Sequence, residues 1–245
     1  METIGFSTAC LWRLNIPFYE KIKCFSSFGA NALELCYVTP TELNEFKLTS
    51  EMIADIKKFD YISIHAPFKE VRYKRDVTTK NIIEKLCLFC EQLSIQGIVI
   101  HPDITDDFKY LEKSGLPFLV ENMDYRKKFG KTPEHFRGLI KEYNFGFVLD
   151  TQHAYENDAT MKLGIELISI MGDRLKELHV SGRTQSEIHS LVHASDNRDL
   201  IQQALKLCIG VPKIVEGYFS SGNIRQSASN ELKFMRKFEP RIKRF

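Results

Sequence analysis

Asp150 and His153 are a carboxylate and an imidazole three positions apart, in the stretch Leu149-Asp150-Thr151-Gln152-His153-Ala154-Tyr155. They follow the apolar run Phe145-Gly146-Phe147-Val148, which reads as a buried strand. Its last residues must therefore lie where the strand opens into a loop. A carboxylate with an imidazole there suits a divalent transition metal such as zinc or manganese. Alone, D-x-x-H is a weak signal. Its weight comes from five other strands that end in the same kind of residue: His65, His101, Glu121, His179 and Glu216. Just beyond strands six and seven lie His153 and the pair Glu187 and His189.

The elements that must position these groups alternate along the chain. Strands are expected at 4–8, 32–36, 61–65, 97–101, 117–121, 145–150, 175–180 and 213–216. Helices are expected at 17–28, 41–58, 79–94, in a short stretch up to 115, from Pro133 after Thr132, and at 159–171, 198–208 and 225–238. Strict β-α alternation implies parallel strands joined by crossovers, and eight units within 245 residues favour one closed (β/α)8 TIM barrel of class α/β, a single domain over 1–245. In such a barrel the active site lies at the carboxyl ends of the strands. Each strand-end histidine or glutamate could, by itself, be a core residue bonded to backbone or lysine. Six consecutive strands delivering one to the same rim is harder to dismiss. Ionised carboxylates crowded near an apolar interior need compensation, and cations are the simplest form of it.

Composition sets further limits. The net charge is +2, so no bulk attraction to nucleic acid is implied. No apolar run approaches membrane-spanning length, and Met1-Glu2-Thr3-Ile4-Gly5 lacks the order of a signal peptide. No strand-to-helix turn carries a glycine-rich nucleotide fingerprint. The six cysteines are too dispersed for a disulfide framework, and Cys87 and Cys90 read as packing on one helix face. The cytoplasm is the expected address, with no obligatory protein partner. The basic stretch 236–244 reads as a solvated tail.

His65-Ala66-Pro67, His101-Pro102, Val120-Glu121-Asn122, Leu149-Asp150-Thr151-Gln152-His153-Ala154, His179-Val180-Ser181 and Val215-Glu216 occur in an order that resembles the xylose isomerase-like barrel superfamily. Within it the set looks most like the endonuclease IV group, the family 2 abasic-site endonucleases. The resemblance implies up to three zinc ions. His65, His101 and Glu121 would hold one, and Glu121 would bridge to a second held by Asp150, His179 and Glu216. His153, Glu187 and His189 would hold the third. Glu187 departs from the family's Asp-x-His, and His193 competes with His189 for that place.

Two chemistries follow. The first is hydrolysis of phosphodiesters, in abasic-site DNA or a smaller phosphate ester, with Glu121, Asp150 and Glu216 at the reacting centre. The second is a sugar or hydroxy-ketone isomerase or epimerase with one zinc or manganese ion on Glu121, Asp150, His179 and Glu216. There Glu121 and Glu216 would exchange a carbon-bound proton through an enediolate. A barrel that binds metal without catalysis ranks third, since every ligand position keeps a ligand. For DNA, Arg72 and Tyr73 in Lys69-Glu70-Val71-Arg72-Tyr73-Lys74-Arg75 are candidate substrate contacts, with Tyr73 stacking on a base. Arg126, Lys127, Lys128 and Lys131 form a second basic cluster, and Arg183 is the candidate contact for a sugar substrate. Against duplex DNA, the loop Tyr37-Val38-Thr39-Pro40 is short for the endonuclease group.

Overall fold

The computed structural model describes residues 2–220 and 222–237. Positions 238–244 of the expected basic tail, and position 238 of the expected last helix, lie outside the described residues. Eight parallel strands close into a barrel in chain order: β1 (Ile4–Ser7), β2 (Ala32–Cys36), β3 (Tyr61–His65), β4 (Gly97–Ile100), β5 (Phe118–Glu121), β6 (Gly146–Asp150), β7 (Leu175–Val180) and β8 (Lys213–Val215), with β8 pairing back onto β1. The helices wrapping it are α1 (Phe18–Ser27), α2 (Pro40–Glu45), α3 (Ser50–Ile56), α4 (Val77–Gln92), α5 (Phe108–Glu112), α6 (Pro133–Glu142), α7 (Thr151–Asn157), α8 (Lys162–Met171), α9 (Arg198–Leu207) and α10 (Ile224–Arg236).

The helix expected over 41–58 is two. Phe46 is extended, with φ −66° and ψ 132°, and ends α2. Thr49 then accepts a hydrogen bond from the Met52 amide and starts α3. Residues 151–157, expected as a loop, form α7. The expected 159–171 helix starts only at Lys162, because Met161 is left-handed with φ 60°.

Most apolar side chains pack between the sheet and the helices, in one large core that includes Phe6, Phe25, Phe136 and Phe147. The barrel's own interior is thinner. Ala32, Tyr61 and Ile214 pack together near its amino end, and Val99, Leu119 and Val148 make a second small group. Because alternate residues of a strand face inward, the same face that carries Ala32 and Tyr61 carries Glu34, Ser63 and His65 further along. The interior therefore changes from apolar to ionisable as it approaches the carboxyl ends. All six cysteines are free thiols, and Cys90 packs against the core, as its helical spacing implies.

Gly5 marks the tightest approach between strands. A Cβ there would lie 1.7 Å from the Ala32 carbonyl oxygen, so β1 and β2 could not keep their register. Gly138, inside α6, faces open space. Gly5→Ala is expected to cost about 3 kcal/mol or more, as over-packing against backbone does. Gly138→Ala is expected to add up to about 1 kcal/mol from helix propensity. Chemical denaturation of the two variants beside the parent chain checks both signs.

Candidate metal centre

β6 delivers Asp150 at its last residue, and Asp150 is also the N-cap of α7: its Oδ1 accepts the His153 amide at 2.8 Å. This cap explains the D-x-x-H spacing. The third residue of a helix is the one whose amide reaches the cap, so His153 is brought beside Asp150 by backbone geometry alone. The cap occupies one carboxylate oxygen. The other, Oδ2, is buried and has no hydrogen-bond partner.

Asn122 locks β5 to β6. Its amide nitrogen donates to the Asp150 carbonyl at 3.0 Å, and its side-chain oxygen accepts the Asp150 amide at 2.6 Å. The Asn122 carbonyl also accepts from His153 Nδ1 at 2.8 Å, which fixes that imidazole's orientation and leaves Nε2 free to ligate. Thr151 does the same for β7, its hydroxyl donating to the Ser181 carbonyl at 3.1 Å.

Glu121 sits at the centre and divides its two oxygens. Oε1 lies 3.2 Å from His179 Nδ1 and 3.5 Å from His153 Nδ1. Oε2 lies 3.1 Å from His101 Nε2 and 3.4 Å from His65 Nε2, yet it has hydrogen-bond geometry with neither. His65 Nδ1 is meanwhile engaged by its neighbour's carbonyl, at 3.0 Å from Ala66 O, so Nε2 is the nitrogen left to face inward. Phe68 covers this half of the site, with its ring 5.0 Å from His65 and 5.1 Å from His101.

On the other side, ligand atoms of Glu121, Asp150, His179 and Glu216 all lie within 4.8 Å of one another. His65, Glu121 and His179 form an overlapping set at the same spacing. The donor set of imidazole nitrogens and carboxylate oxygens suits zinc or manganese, and the orphaned Asp150 Oδ2 and Glu121 Oε2 fit a cation. The residues present can hold a metal.

His179 is wedged between four carboxylates. Its Nε2 donates to Glu177 at 2.8 Å and to Glu34 at 3.0 Å, while Nδ1 faces Glu121 and, at 3.4 Å, Glu216. Burial disfavours its charge, but Glu216, Glu34 and Glu121 outweigh burial and push its pKa well up. Burial likewise raises the carboxyl of Glu121, yet His179, His101 and His65 overcome it and hold Glu121 well below the usual range. Glu216 goes the other way. Burial pushes it well up, His179 opposes, and repulsion from Glu34, Asp150 and Glu121 adds to the rise. Burial lowers the pKa of His101 and of His189, so both are held neutral, the form that ligates.

Strand endings do not single out Glu34 and Glu177, which the structure adds to the site. Glu177 lies two residues before His179 and so shares its inward face, and Glu34 pairs in register with Ser7 and Ser63, inside the barrel. A charged residue on an inward alternation is the signal that could have found them.

The third expected set does not assemble. Glu187 is held by Arg13 through both carboxylate oxygens and is partly exposed. His189 stands beside His153, ring centroids 6.2 Å apart, with Nδ1 3.0 Å from Ser181 Oγ. His193 points elsewhere: its Nδ1 lies 2.6 Å from Glu231 Oε2 on α10, a structural pair. His189 is therefore the imidazole at the mouth.

The stacking role expected of Tyr73 is corrected. Its ring is fully buried and its hydroxyl donates to the Pro67 carbonyl at 2.7 Å, so no base can reach it. Arg72 is paired with Asp106, and Arg183 with Glu156. Arg75 lies 3.5 Å from Asp107, Arg126 2.8 Å from Asp124 and Lys127 2.9 Å from Asp103. Lys131 donates to the Tyr125 carbonyl at 3.1 Å.

No family model and no curated protein matches the sequence. Solved structures do. An endonuclease IV from Thermus thermophilus superposes with a TM-score of 0.68 at 15% identity, covering 96% of this chain and 98% of that one. A D-psicose 3-epimerase in the presence of D-fructose gives 0.67 at 14% identity, over 96% and 99%. A D-tagatose 3-epimerase-like protein gives 0.67 at 17% identity, over 96% of each chain. These solved structures share the fold of this chain, and they include both an endonuclease and sugar epimerases.

Two outcomes follow for metal loading. Because His179 carries a proton in the metal-free chain near neutral pH, uptake of zinc should release protons, seen as acidification of a weakly buffered solution. Glu177→Gln removes the stronger acceptor of His179 Nε2–H, and zinc affinity should fall by about 10- to 100-fold in a chelator competition. Glu187→Gln should leave that affinity unchanged.

Proposed function

We propose that this chain is a metal-dependent hydrolase of phosphodiesters, working at a centre for two divalent ions. The observation that carries the reading is the division of Glu121, one oxygen toward His65 and His101, the other toward His179 and His153, with Asp150 and Glu216 grouped on His179's side. A carboxylate shared between two imidazole-bearing sets is what a pair of ions needs. A single ion on Glu121, Asp150, His179 and Glu216 would leave His65 and His101 without a role.

His65, His101 and Glu121 would hold one ion, and Glu121, Asp150, His179 and Glu216 the other. Such ions supply Lewis acidity to a phosphoryl oxygen and make a water more acidic. The chain's own part is positional. Asn122 and the cap on Asp150 fix the second group, Glu34 and Glu177 hold His179 with Nδ1 toward the mouth, and Phe68 shields the two imidazoles of the first. Glu216, mostly buried at the rim, would complete the second ion's ligands, and a cation there would offset the burial and the crowding with Glu34, Asp150 and Glu121 that push its pKa up in the metal-free chain.

The substrate we favour is a small phosphodiester rather than long duplex DNA. Half of the basic residues expected to track phosphates, Arg72, Arg75, Arg126 and Lys127, lie beside an aspartate. A long polyanion gains most from unpaired cations. The second reading, a sugar isomerase or epimerase, has one specific support: Glu121, Asp150, His179 and Glu216 form a complete four-ligand set by themselves. In that reading Glu121 and Glu216 would exchange the proton.

Metal content and turnover separate the two. Protein purified without added metal should hold about two equivalents of a divalent ion and hydrolyse bis(p-nitrophenyl) phosphate. His65→Ala should lose one equivalent and lower hydrolysis on the order of 100-fold or more. A single equivalent indifferent to His65→Ala, with epimerisation of a ketose, would give the site to the second reading.

A further inference from the structure

The metal-facing residues leave one feature of the mouth unexplained, the stretch Thr8–Leu14 that follows β1. It carries Trp12, the chain's single tryptophan, whose side chain is 58% exposed although aromatic residues of that size normally bury. Trp12 is exposed but not loose. Tyr218, two residues past Glu216, meets it edge-on with ring centroids 5.8 Å apart. Arg13 lies 4.5 Å from the Tyr218 ring and 5.5 Å from the Trp12 ring, and its guanidinium is in turn gripped by Glu187. Two groups thus brace the indole, one of them held by Glu187, and leave much of its surface to solvent.

The brace is continuous with the metal centre. Tyr218 packs on His189 at 5.6 Å, and His189 on His153 at 6.2 Å. The Tyr218 amide also donates to the His189 carbonyl at 2.9 Å, which ties the aromatic to the residue facing the site. Rings therefore run stepwise from Glu121's neighbour His153 out to Trp12. Beside them, Arg13, Glu187, Ser190, His193 and Tyr218 help line a cavity of about 460 Å³.

We propose that Trp12, supported by Arg13 and Tyr218, is a stacking platform for a planar heterocycle joined to the reacting phosphate, so that the substrate is a nucleoside phosphodiester. The inference rests on the phosphodiesterase reading and adds the substrate's other half. A nucleobase presents a π-face to the indole whatever its identity, so the platform selects for a base without reading which one. The pairing of Arg13 with Glu187 gives this cluster no strong net charge, so it favours a neutral ring over a second phosphate. It also gives Glu187 a purpose that ligation does not.

The test uses the tryptophan as its own reporter. The zinc-loaded full chain is titrated with adenosine monophosphate and, separately, with ribose 5-phosphate. In the parent chain the nucleotide should quench Trp12 emission saturably; with affinities of parent and variants read by calorimetry, it should bind about tenfold or more tightly than the sugar phosphate, and Trp12→Ala should remove that advantage while Trp12→Phe restores most of it. Trp12 lies outside the core, so the variants should fold, and circular dichroism confirms it. Equal binding of the two ligands, unchanged in Trp12→Ala, overturns the platform even if diesters are hydrolysed. Base-dependent quenching in a chain that hydrolyses no diester upholds the platform and fails the catalytic reading alone.

Discussion

The imidazole of His179 is the charge that lets four carboxylates share the barrel axis. Glu34 and Glu177 approach one nitrogen, Glu121 and Glu216 the other, and apart from Glu216 at the rim all of these groups are sealed from water. Ionised carboxylates buried at that density are unstable unless opposing charge lies within a few ångströms. One imidazolium does not neutralise four of them. The pKa shifts divide the burden: Glu121 is held ionised, while Glu216 and Glu177 are pushed toward the protonated form. A divalent ion on the Nδ1 side would replace the proton on His179 and turn the same carboxylates from a liability into ligands. The arrangement makes physical sense around cations.

Much of this was legible in the sequence because it is local to strand ends. Parallel register places residues at the same end of the barrel regardless of what lies between them, so His65, Glu121, Asp150 and His179 could be read together from alternation and strand endings. His101 and Glu216 fall one residue past β4 and β8 and still reach the same level. D-x-x-H was legible for a further reason, being the spacing of a helix cap. What escaped depends on partners far apart in the chain. Arg13 and Glu187 are 174 residues apart, and no local pattern announces that this carboxylate is already taken. Tyr73 sits among basic residues and reads as exposed. Its backbone, however, bridges to Thr105 and draws the ring beneath the loop. Glu34 escaped because its strand, Ala32–Cys36, is otherwise apolar and stops at a cysteine rather than a ligand.

The floor of the site and its rim are built on different principles. Asn122 bridges β5 and β6, Thr151 bridges β6 and β7, and both side chains are buried, so the second ligand set is fixed by bonds whose loss would strand polar groups. The first set has less of this. His101 Nδ1 is buried without a partner, and the two imidazoles rest mainly against Phe68. A ligand lacking an outer hydrogen bond is held less tightly in orientation. The four-ligand set is accordingly the more firmly oriented of the two.

At the rim several arginines are matched by carboxylates. Arg13, Arg72, Arg126 and Arg183 each close on a carboxylate, in exposed or half-exposed pairs that contribute little to stability. Their effect is on what can approach. Paired charges present no strong field, so discrimination must come from shape and from rings rather than from long-range attraction. The proposed ligand, one compact anionic centre with an uncharged planar remainder, would meet buried carboxylates at the base of the mouth, neutral imidazoles on one wall and a braced indole at its edge. Of the basic clusters that suggest nucleic acid in the sequence, half the cations sit, in three dimensions, beside their own aspartates.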